Sequence, residues 1–315
     1  MNITILDGYA LNPGDLSWDP MESLGKVKIY ARTSRSEIVE RCIGSEIVLT
    51  NKVVLDKEII KLLPKLKYIG VLATGYNVVD TAAASENGVV VSNIPAYSTH
   101  SVAQLAIGMM IDFAEDLSSH INSVNEGRWS ESEDFSYTTR TTHELAGKKL
   151  GIIGYGQIAK QVIRIAKAFE MEVLVYTSHP DSDKEVVFVS KQKLFSDSDI
   201  ISIHTSLRPE NEQIVNKDTL KQMKSRAYLI NTSRGGLINE SDLAEFLNDN
   251  KIAGAGLDVL DEEPPKAGNL LLNARNCRIT PHIAWSTLEA RQRLLDLTMI
   301  NIKAFQNGNP VNVVN

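Results

Sequence analysis

A chain of 315 residues exceeds the ~250–300 residues over which one hydrophobic core keeps growing, so about two domains are expected. Hydrophobic residues make up 43% and charged residues 23%, with 19 Gly and 10 Pro, which excludes fibrous, low-complexity and wholly disordered chains. Acidic residues number 39 against 33 basic ones; the formal charge of −6 and the lack of any dense Lys/Arg run argue against a nucleic-acid-binding face.

Cys42 and Cys277 form no motif and suggest a reducing compartment, although the count alone leaves one disulfide open. The opening segment MNITILDGYA lacks the basic region and long apolar core of a signal peptide. The longest apolar stretches, such as Ile107–Ile111, are too short to span a membrane. A soluble cytoplasmic protein with no membrane partner is the expectation.

In chain order, Ile3–Leu6 reads as a strand ending at Asp7-Gly8, followed by a turn-rich loop through Asn12-Pro13-Gly14-Asp15. Val27–Tyr30 is a second strand, and Ser36–Cys42 a short helix introduced by Thr33 or Ser34. Strands at Ile47–Thr50 and Tyr68–Leu72 flank a helix over Asp56–Leu63, and Val89–Ser92 follows. This alternation predicts a small parallel α/β unit. From Ser98 to Ser119 the residues Val102, Leu105, Ala106, Met109, Met110 and Phe113 recur at helical spacing and predict one long helix. Ser130–Thr142 is polar and without period, hence a loop over the surface or an interface.

The pattern changes at Lys149. Leu150–Ile153 is a strand, Gly154-Tyr155-Gly156 a turn, and a helix runs through Phe169. Further strands are predicted at Val173–Tyr176, Val186–Phe188, Ile200–His204, Tyr228–Asn231, Gly254–Leu257 and Arg278–Thr280. Helices at Lys217–Met223 and Ser241–Asn248 separate some of them. This second, larger unit fits a doubly wound parallel sheet. Leu288–Phe305 is the last helix, stopped at Asn307-Gly308. A domain boundary is expected near residues 95–99.

Gly154-x-Gly156-x-x-Ala159, set between an apolar strand and an amphipathic helix, points to a dinucleotide. The first glycine permits the tight turn, the second lets pyrophosphate approach, and Ala159 stands for the third small residue. Free N–H groups and the positive helix end near Gln157 would face the phosphates. The end of the second strand, Thr177-Ser178-His179, has neither the acidic residue that holds a ribose hydroxyl nor a basic clamp for a 2′-phosphate. NAD is favoured there and NADP stays possible.

The second half of the chain resembles the D-isomer-specific 2-hydroxyacid dehydrogenases. The matching motifs are Gly154-Tyr155-Gly156-Gln157-Ile158-Ala159, Asn231-Thr232-Ser233-Arg234-Gly235-Gly236, Gly256-Leu257-Asp258-Val259, Glu263-Pro264-Pro265 and Pro281-His282-Ile283-Ala284-Trp285. Upstream, Leu72-Ala73-Thr74-Gly75-Tyr76-Asn77 and Asn93-Ile94-Pro95-Ala96-Tyr97-Ser98-Thr99 also match, so the resemblance spans nearly the whole chain. The details look closest to the glycerate dehydrogenase (hydroxypyruvate reductase) branch.

The resemblance implies Arg234, Glu263 and His282 as catalytic residues of a reversible hydride exchange between a nicotinamide and C2 of a small 2-hydroxy or 2-keto acid. The residue types suit that chemistry. Arg234 offers a charged planar fork for a carboxylate and its neighbouring carbonyl. His282 is the acid/base at the carbonyl oxygen, and Glu263 would hold the other ring nitrogen and favour the protonated ring. Thr74 and Gly75 are implied as carboxylate contacts together with Arg234 and His282. Gly154, Gly156, Gln157, Ile158, Thr177, Thr205, Thr232 and Asp258 are implied around the cofactor, Asp258 as an acceptor for the nicotinamide amide. No metal is implied.

The resemblance further implies a Rossmann domain over residues 99–286 and a smaller flavodoxin-like substrate domain built from 1–98 and 287–315, with catalysis in the cleft. It implies a homodimer through the cofactor domains, the helix after Thr99 and the loop around Gly127–Thr142 being the candidate elements. Hydroxypyruvate is the leading substrate. Residues 136–140 lack the additional aromatic residues common in relatives, which keeps glyoxylate or another short 2-ketoacid as the alternative. Trp285 is either a pocket wall or a packed aromatic, and Arg140 either a contact for a second acidic group or an exposed arginine. A cofactor-sensitive protein-interaction module is the reading from another functional class.

Overall fold

The computed structural model describes residues 1–315. It divides into two compact units, one of Met1–Ser98 with Trp285–Asn315 and one of Thr99–Ala284.

The smaller unit is built on a five-stranded parallel sheet. Its strands are β1 (Asn2–Ile5), β2 (Lys26–Ile29), β3 (Ile47–Thr50), β4 (Tyr68–Val71) and β5 (Val90–Ser92), in the order β2-β1-β3-β4-β5. β3 and β4 are buried at every position, as strands covered on both faces must be, whereas β2 is a largely exposed edge. Its short helices are α1 (Gly8–Leu11), α2 (Ile38–Cys42), α3 (Lys57–Lys61) and α4 (Thr81–Glu86). Asp56 and Asp80 cap α3 and α4 by accepting from Ile59 N at 3.1 Å and Ala83 N at 2.9 Å. No sequence pattern announces α4, because Thr-Ala-Ala-Ala-Ser-Glu has no large apolar residue to show a period.

The C-terminal helix, Leu288–Gln306, packs Leu294, Leu295 and Ile302 against Ile3, Ile5, Leu49 and Tyr68 of the sheet. Its buried Arg291 grips Asp15 with two bonds of 2.6 Å and donates to Leu11 O at 3.2 Å. Beyond it the chain returns to the sheet, where Ser92 bridges Val313 in antiparallel sense.

The larger unit carries a seven-stranded parallel sheet of β6 (Lys149–Ile153), β7 (Glu172–Tyr176), β8 (Val187–Phe188), β9 (Ile200–Ile203), β10 (Tyr228–Asn231), β11 (Gly254–Leu257) and β12 (Cys277–Ile279). The order β12-β11-β10-β9-β6-β7-β8 reverses between β6 and β9. Ligands of such sheets bind beyond the strand C-termini at that reversal. The helices are α5 (Thr99–Glu115), α6 (Leu117–Asn125), α7 (Gln157–Ala168), α8 (Lys191–Asp197), α9 (Lys217–Leu220) and α10 (Glu240–Asn248). One face of the sheet is covered by α5 and α7 through Ala103, Met110, Phe113, Val162, Ile163 and Ala166. Leu194, Phe195, Leu243 and Phe246 cover the other.

The single helix expected over Ser98–Ser119 is two helices. They part at Asp116, whose backbone is left-handed at φ 51°. Its carboxylate accepts from Ser119 Oγ at 3.0 Å, Thr139 Oγ1 at 2.8 Å and Arg278 Nη2 at 2.7 Å. Burial works to raise its pKa, yet these donors and the Arg140 charge hold it below the usual carboxylate value. Arg278 also pairs with Asp112 and lies 4.5 Å over the Phe113 ring. Arg140 is neither a free contact for a second acidic group nor an exposed arginine. It donates to Phe113 O at 2.8 Å and stands 3.3 Å from Asp116, so it tethers the 130–142 loop to the helix break.

Candidate active site

The turn after β6 has the geometry a dinucleotide needs. Gly154 sits at φ 95°, and a Cβ there would lie 2.3 Å from the His204 carbonyl oxygen, so only glycine fits. Gly156 caps α7 and faces open space, since a Cβ there would meet nothing within 4 Å. Gln157 and Ile158 open α7, whose first N–H groups have no partner inside the helix and favour an anion. Ala159 is fully buried, which places the third small residue of the motif where helix meets sheet.

Two buried polar atoms near the ends of β9 and β10 lack a hydrogen-bond partner in the chain, Thr232 Oγ1 and His204 Nδ1. Such orphans are rare inside proteins, and a bound ligand is one way to satisfy them. Burial pushes the His204 pKa down to about 4, so its ring is neutral and shares a 2.8 Å bond with Ser202 Oγ. Thr205 follows it at the end of β9. Thr177, just past β7, accepts from His179 N at 3.2 Å. These residues fit a nicotinamide dinucleotide laid across the strand ends.

Arg234, Glu263 and His282 come from three loops that local contacts draw together. In the loop after β10, Ser233 donates to Ile203 O at 2.7 Å and Asn231 Nδ2 to Arg234 O at 2.9 Å. A Cβ on Gly235 would lie 1.9 Å from the Leu260 carbonyl carbon, so this loop rests directly on the one after β11. The Arg234 side chain is exposed, its Nη1 donating to Ser233 O at 2.7 Å. In the neighbouring loop, Glu263 accepts from Leu260 N at 3.0 Å through Oε1, and its Oε2 lies 2.5 Å from His282 Nδ1. The Glu263–Pro264 peptide is cis.

His282 follows β12 with a left-handed backbone, φ 54°, and its N–H is shared between Asp258 O and Thr280 O, each at 2.9 Å. The family resemblance places Asp258 beside the nicotinamide amide. In the structure its carboxylate is 1% exposed and turned to its own chain, accepting from Thr280 Oγ1 at 2.6 Å and from Ile283 N and Ala284 N at 2.8 Å. Burial raises its pKa despite these donors. Holding the strained turn that presents His282 is a role that no spacing in the sequence reveals. Ser101 contributes too, donating to Ala284 O from α5.

The remaining expected residues lie in the smaller unit. Thr74 and Gly75 form the loop after β4, where Thr74 Oγ1 donates to Ile94 O at 2.9 Å and Asn93 Nδ2 to Thr74 O at 2.7 Å. Trp285 packs edge-on against Tyr97 with centroids 6.3 Å apart, which favours the packed-aromatic reading. No cluster of three or more His, Cys, Asp or Glu side chains is placed to hold a metal ion. No helix is long and apolar enough to cross a membrane.

Comparison with known proteins agrees with this geometry. Residues 107–284 match the model of the D-isomer specific 2-hydroxyacid dehydrogenase, NAD binding domain. A hydroxypyruvate reductase of Blautia hydrogenotrophica is 44% identical over 100% of both chains. A glyoxylate reductase of Thermococcus litoralis is 36% identical over 85% of this chain and 82% of its own. Among solved structures, an acyclic imino acid reductase in complex with NADPH and D-arginine superposes with a TM-score of 0.88 at 30% identity, covering 100% of both chains. A dinucleotide turn, a Glu263-braced His282 and full-length relatives converge on one assignment: the chain belongs to the D-isomer-specific 2-hydroxyacid dehydrogenase family and is an NAD(P)-dependent oxidoreductase.

Proposed function

We propose that the chain reduces a small 2-ketoacid, hydroxypyruvate before others, to the D-2-hydroxy acid, with Arg234, Glu263 and His282 as the catalytic set. The observation that carries this reading is the 2.5 Å contact between Glu263 Oε2 and His282 Nδ1. With Nδ1 committed to the carboxylate, Nε2 is the ring atom left to serve the substrate. The nicotinamide, when bound, supplies or receives the hydride at C2. His282 Nε2–H then donates its proton to the carbonyl oxygen during reduction and takes the hydroxyl proton during oxidation. Arg234, exposed and anchored only through Nη1 to its own loop, offers its remaining donors to the carboxylate. Glu263 holds the ring orientation between turnovers.

Hydroxypyruvate comes first because the relative aligned over the full length of both chains is a hydroxypyruvate reductase. The glyoxylate reductase of Thermococcus litoralis supports glyoxylate as the second reading. The family match and the Glu263–His282 pair favour an enzyme over the interaction-module reading. The strand order of the smaller sheet supports the flavodoxin-like description. Kinetics with hydroxypyruvate, glyoxylate, pyruvate and larger 2-ketoacids, each with NADH and NADPH, test the assignment. The highest kcat/KM is expected for hydroxypyruvate, with D-glycerate as product. Faster turnover of pyruvate, or an L product, would overturn it.

We also infer a homodimer formed through the cofactor unit. Leu117, Ile121 and Val124 are exposed at helical spacing on α6, followed by Trp129 and by Phe135, which is 91% exposed. An apolar surface of that kind on a protein of this size calls for a partner. Sedimentation equilibrium should return twice the chain mass. Replacing Leu117 and Ile121 by Glu should yield monomers, and a wild-type monomer at micromolar concentration would sink the inference.

A further inference from the structure

The loop after β4 has its carbonyls occupied and its N–H groups open. Leu72 O accepts from Asn51 Nδ2 at 2.6 Å, Ala73 O from Ile94 N at 3.0 Å, and Thr74 O from Asn93 Nδ2 at 2.7 Å. The N–H groups of Thr74, Gly75 and Tyr76 make no hydrogen bond within the chain. Successive free main-chain N–H groups in a turn form a concavity for an anion. The Thr74 hydroxyl donates to Ile94 O at 2.9 Å, so the donors this loop keeps open are those of its main chain.

Peptide planarity turns these bonds into directions. In a trans peptide the N–H points opposite to the C=O across one rigid plane. The cis bond of this chain is Glu263–Pro264, so the peptides of the loop are trans. The bond on Ala73 O therefore aims the Thr74 N–H, and the bond on Thr74 O aims the Gly75 N–H. The first partner is the main chain of Ile94 and needs no particular side chain. The second is a single side-chain amide, that of Asn93.

Asn93 is itself held by the C-terminal part of the chain. Its N–H donates to Asn312 O at 3.1 Å, and its carbonyl accepts from Asn301 Nδ2 at 3.0 Å. Asn301, 1% exposed on the C-terminal helix, accepts in turn from Asn312 Nδ2 at 2.9 Å. The tail runs on along β5, where Val314 N donates to Val91 O at 2.9 Å and Val91 N to Asn315 Oδ1 at 2.8 Å. Asn93 thus joins the last residues of the chain to the loop after β4.

We propose that Asn93 is a positioning residue for the substrate carboxylate. It fixes the Thr74–Gly75 peptide so that the Gly75 N–H meets the anion, and Asn301 and the C-terminal tail hold Asn93 in place. The proposal rests on the reading of Thr74 and Gly75 as carboxylate contacts and goes beyond it by naming the side chain that orients them.

Steady-state kinetics of the full-length enzyme with NADH and 2-ketoacids test it. Asn93→Ala, and the isosteric Asn93→Asp, which has no donor at neutral pH, should raise KM for hydroxypyruvate at least ~5-fold. kcat should fall by less, because the carboxylate is bound alike in ground state and transition state. A loss of folded enzyme would do the reverse, lowering apparent kcat and leaving KM. Glyoxylate should show the same factor, since the carboxylate is the group the two ketoacids share. Asn312→Gly tolerates the left-handed backbone there, φ 54°, and removes the amide that holds Asn301, so a smaller rise in KM is expected. Unchanged KM in both Asn93 variants, or a rise confined to one ketoacid, would overturn the proposal. A wild-type KM in Asn312→Gly would overturn the part assigned to the tail. Gly75→Pro, which deletes the N–H itself, separates this proposal from the reading beneath it. If KM stays unmoved in that variant, the loop is no carboxylate contact and both fail. If KM rises there but not in the Asn93 variants, the role of Asn93 alone fails.

Discussion

His282→Ala is expected to lower kcat for ketoacid reduction by at least ~10²-fold, the usual contribution of a positioned general acid. The structure narrows how. The ring is oriented from both ends: Nδ1 by Glu263 at 2.5 Å, and the backbone by a left-handed turn whose N–H bonds to Asp258 O and Thr280 O. Alanine removes the proton donor and leaves the Glu263 carboxylate without its ring partner. Because the lost interaction is made in the transition state, kcat should fall more than KM rises. Steady-state kinetics with hydroxypyruvate and NADH read both, and near-equal rates for variant and wild type would remove His282 from the acid/base role.

Arg234→Ala should reduce kcat/KM for the ketoacid by about 10²–10³-fold. Each charge-assisted hydrogen bond to a carboxylate is worth about 1.5–3 kcal/mol when its partner is left behind, and the guanidinium can supply two. Arg234→Lys should recover only a small part, because an ammonium cannot reproduce the planar fork. The loop itself should survive either change. Its contacts run through Asn231, Ser233 and the close approach of Gly235 to Leu260, none of which uses the Arg234 side chain. Substrate kinetics of both variants decide the matter, and a profile unchanged across 2-ketoacids would show that Arg234 does not hold the carboxylate.

Elements with a strong local signal are legible in the sequence. The apolar runs of β3, β4, β6 and β9 and the turn at Gly154 are visible without tertiary information, because a strand buried on both faces leaves little choice of residue. The helix break at Asp116 is not legible. The periodicity from Val102 to Phe113 continues smoothly towards Ser119, and what interrupts it are partners far along the chain, Thr139, Arg140 and Arg278. α4 escapes for the opposite reason, since its alanines carry too little apolar contrast to show a period.

The candidate site divides the same way. The sequence by itself determined the composition class, the parallel α/β alternation and the glycine turn, because each depends on residue type and short-range spacing, while Arg234, Glu263 and His282 were singled out by the family resemblance. Tertiary structure decided what those residues touch. It turned Asp258 inward to hold the His282 turn and made Arg140 a tether instead of a substrate contact. A side chain's donors and acceptors can be counted from sequence, but which of them are already satisfied depends on loops that meet only after the sheet has formed.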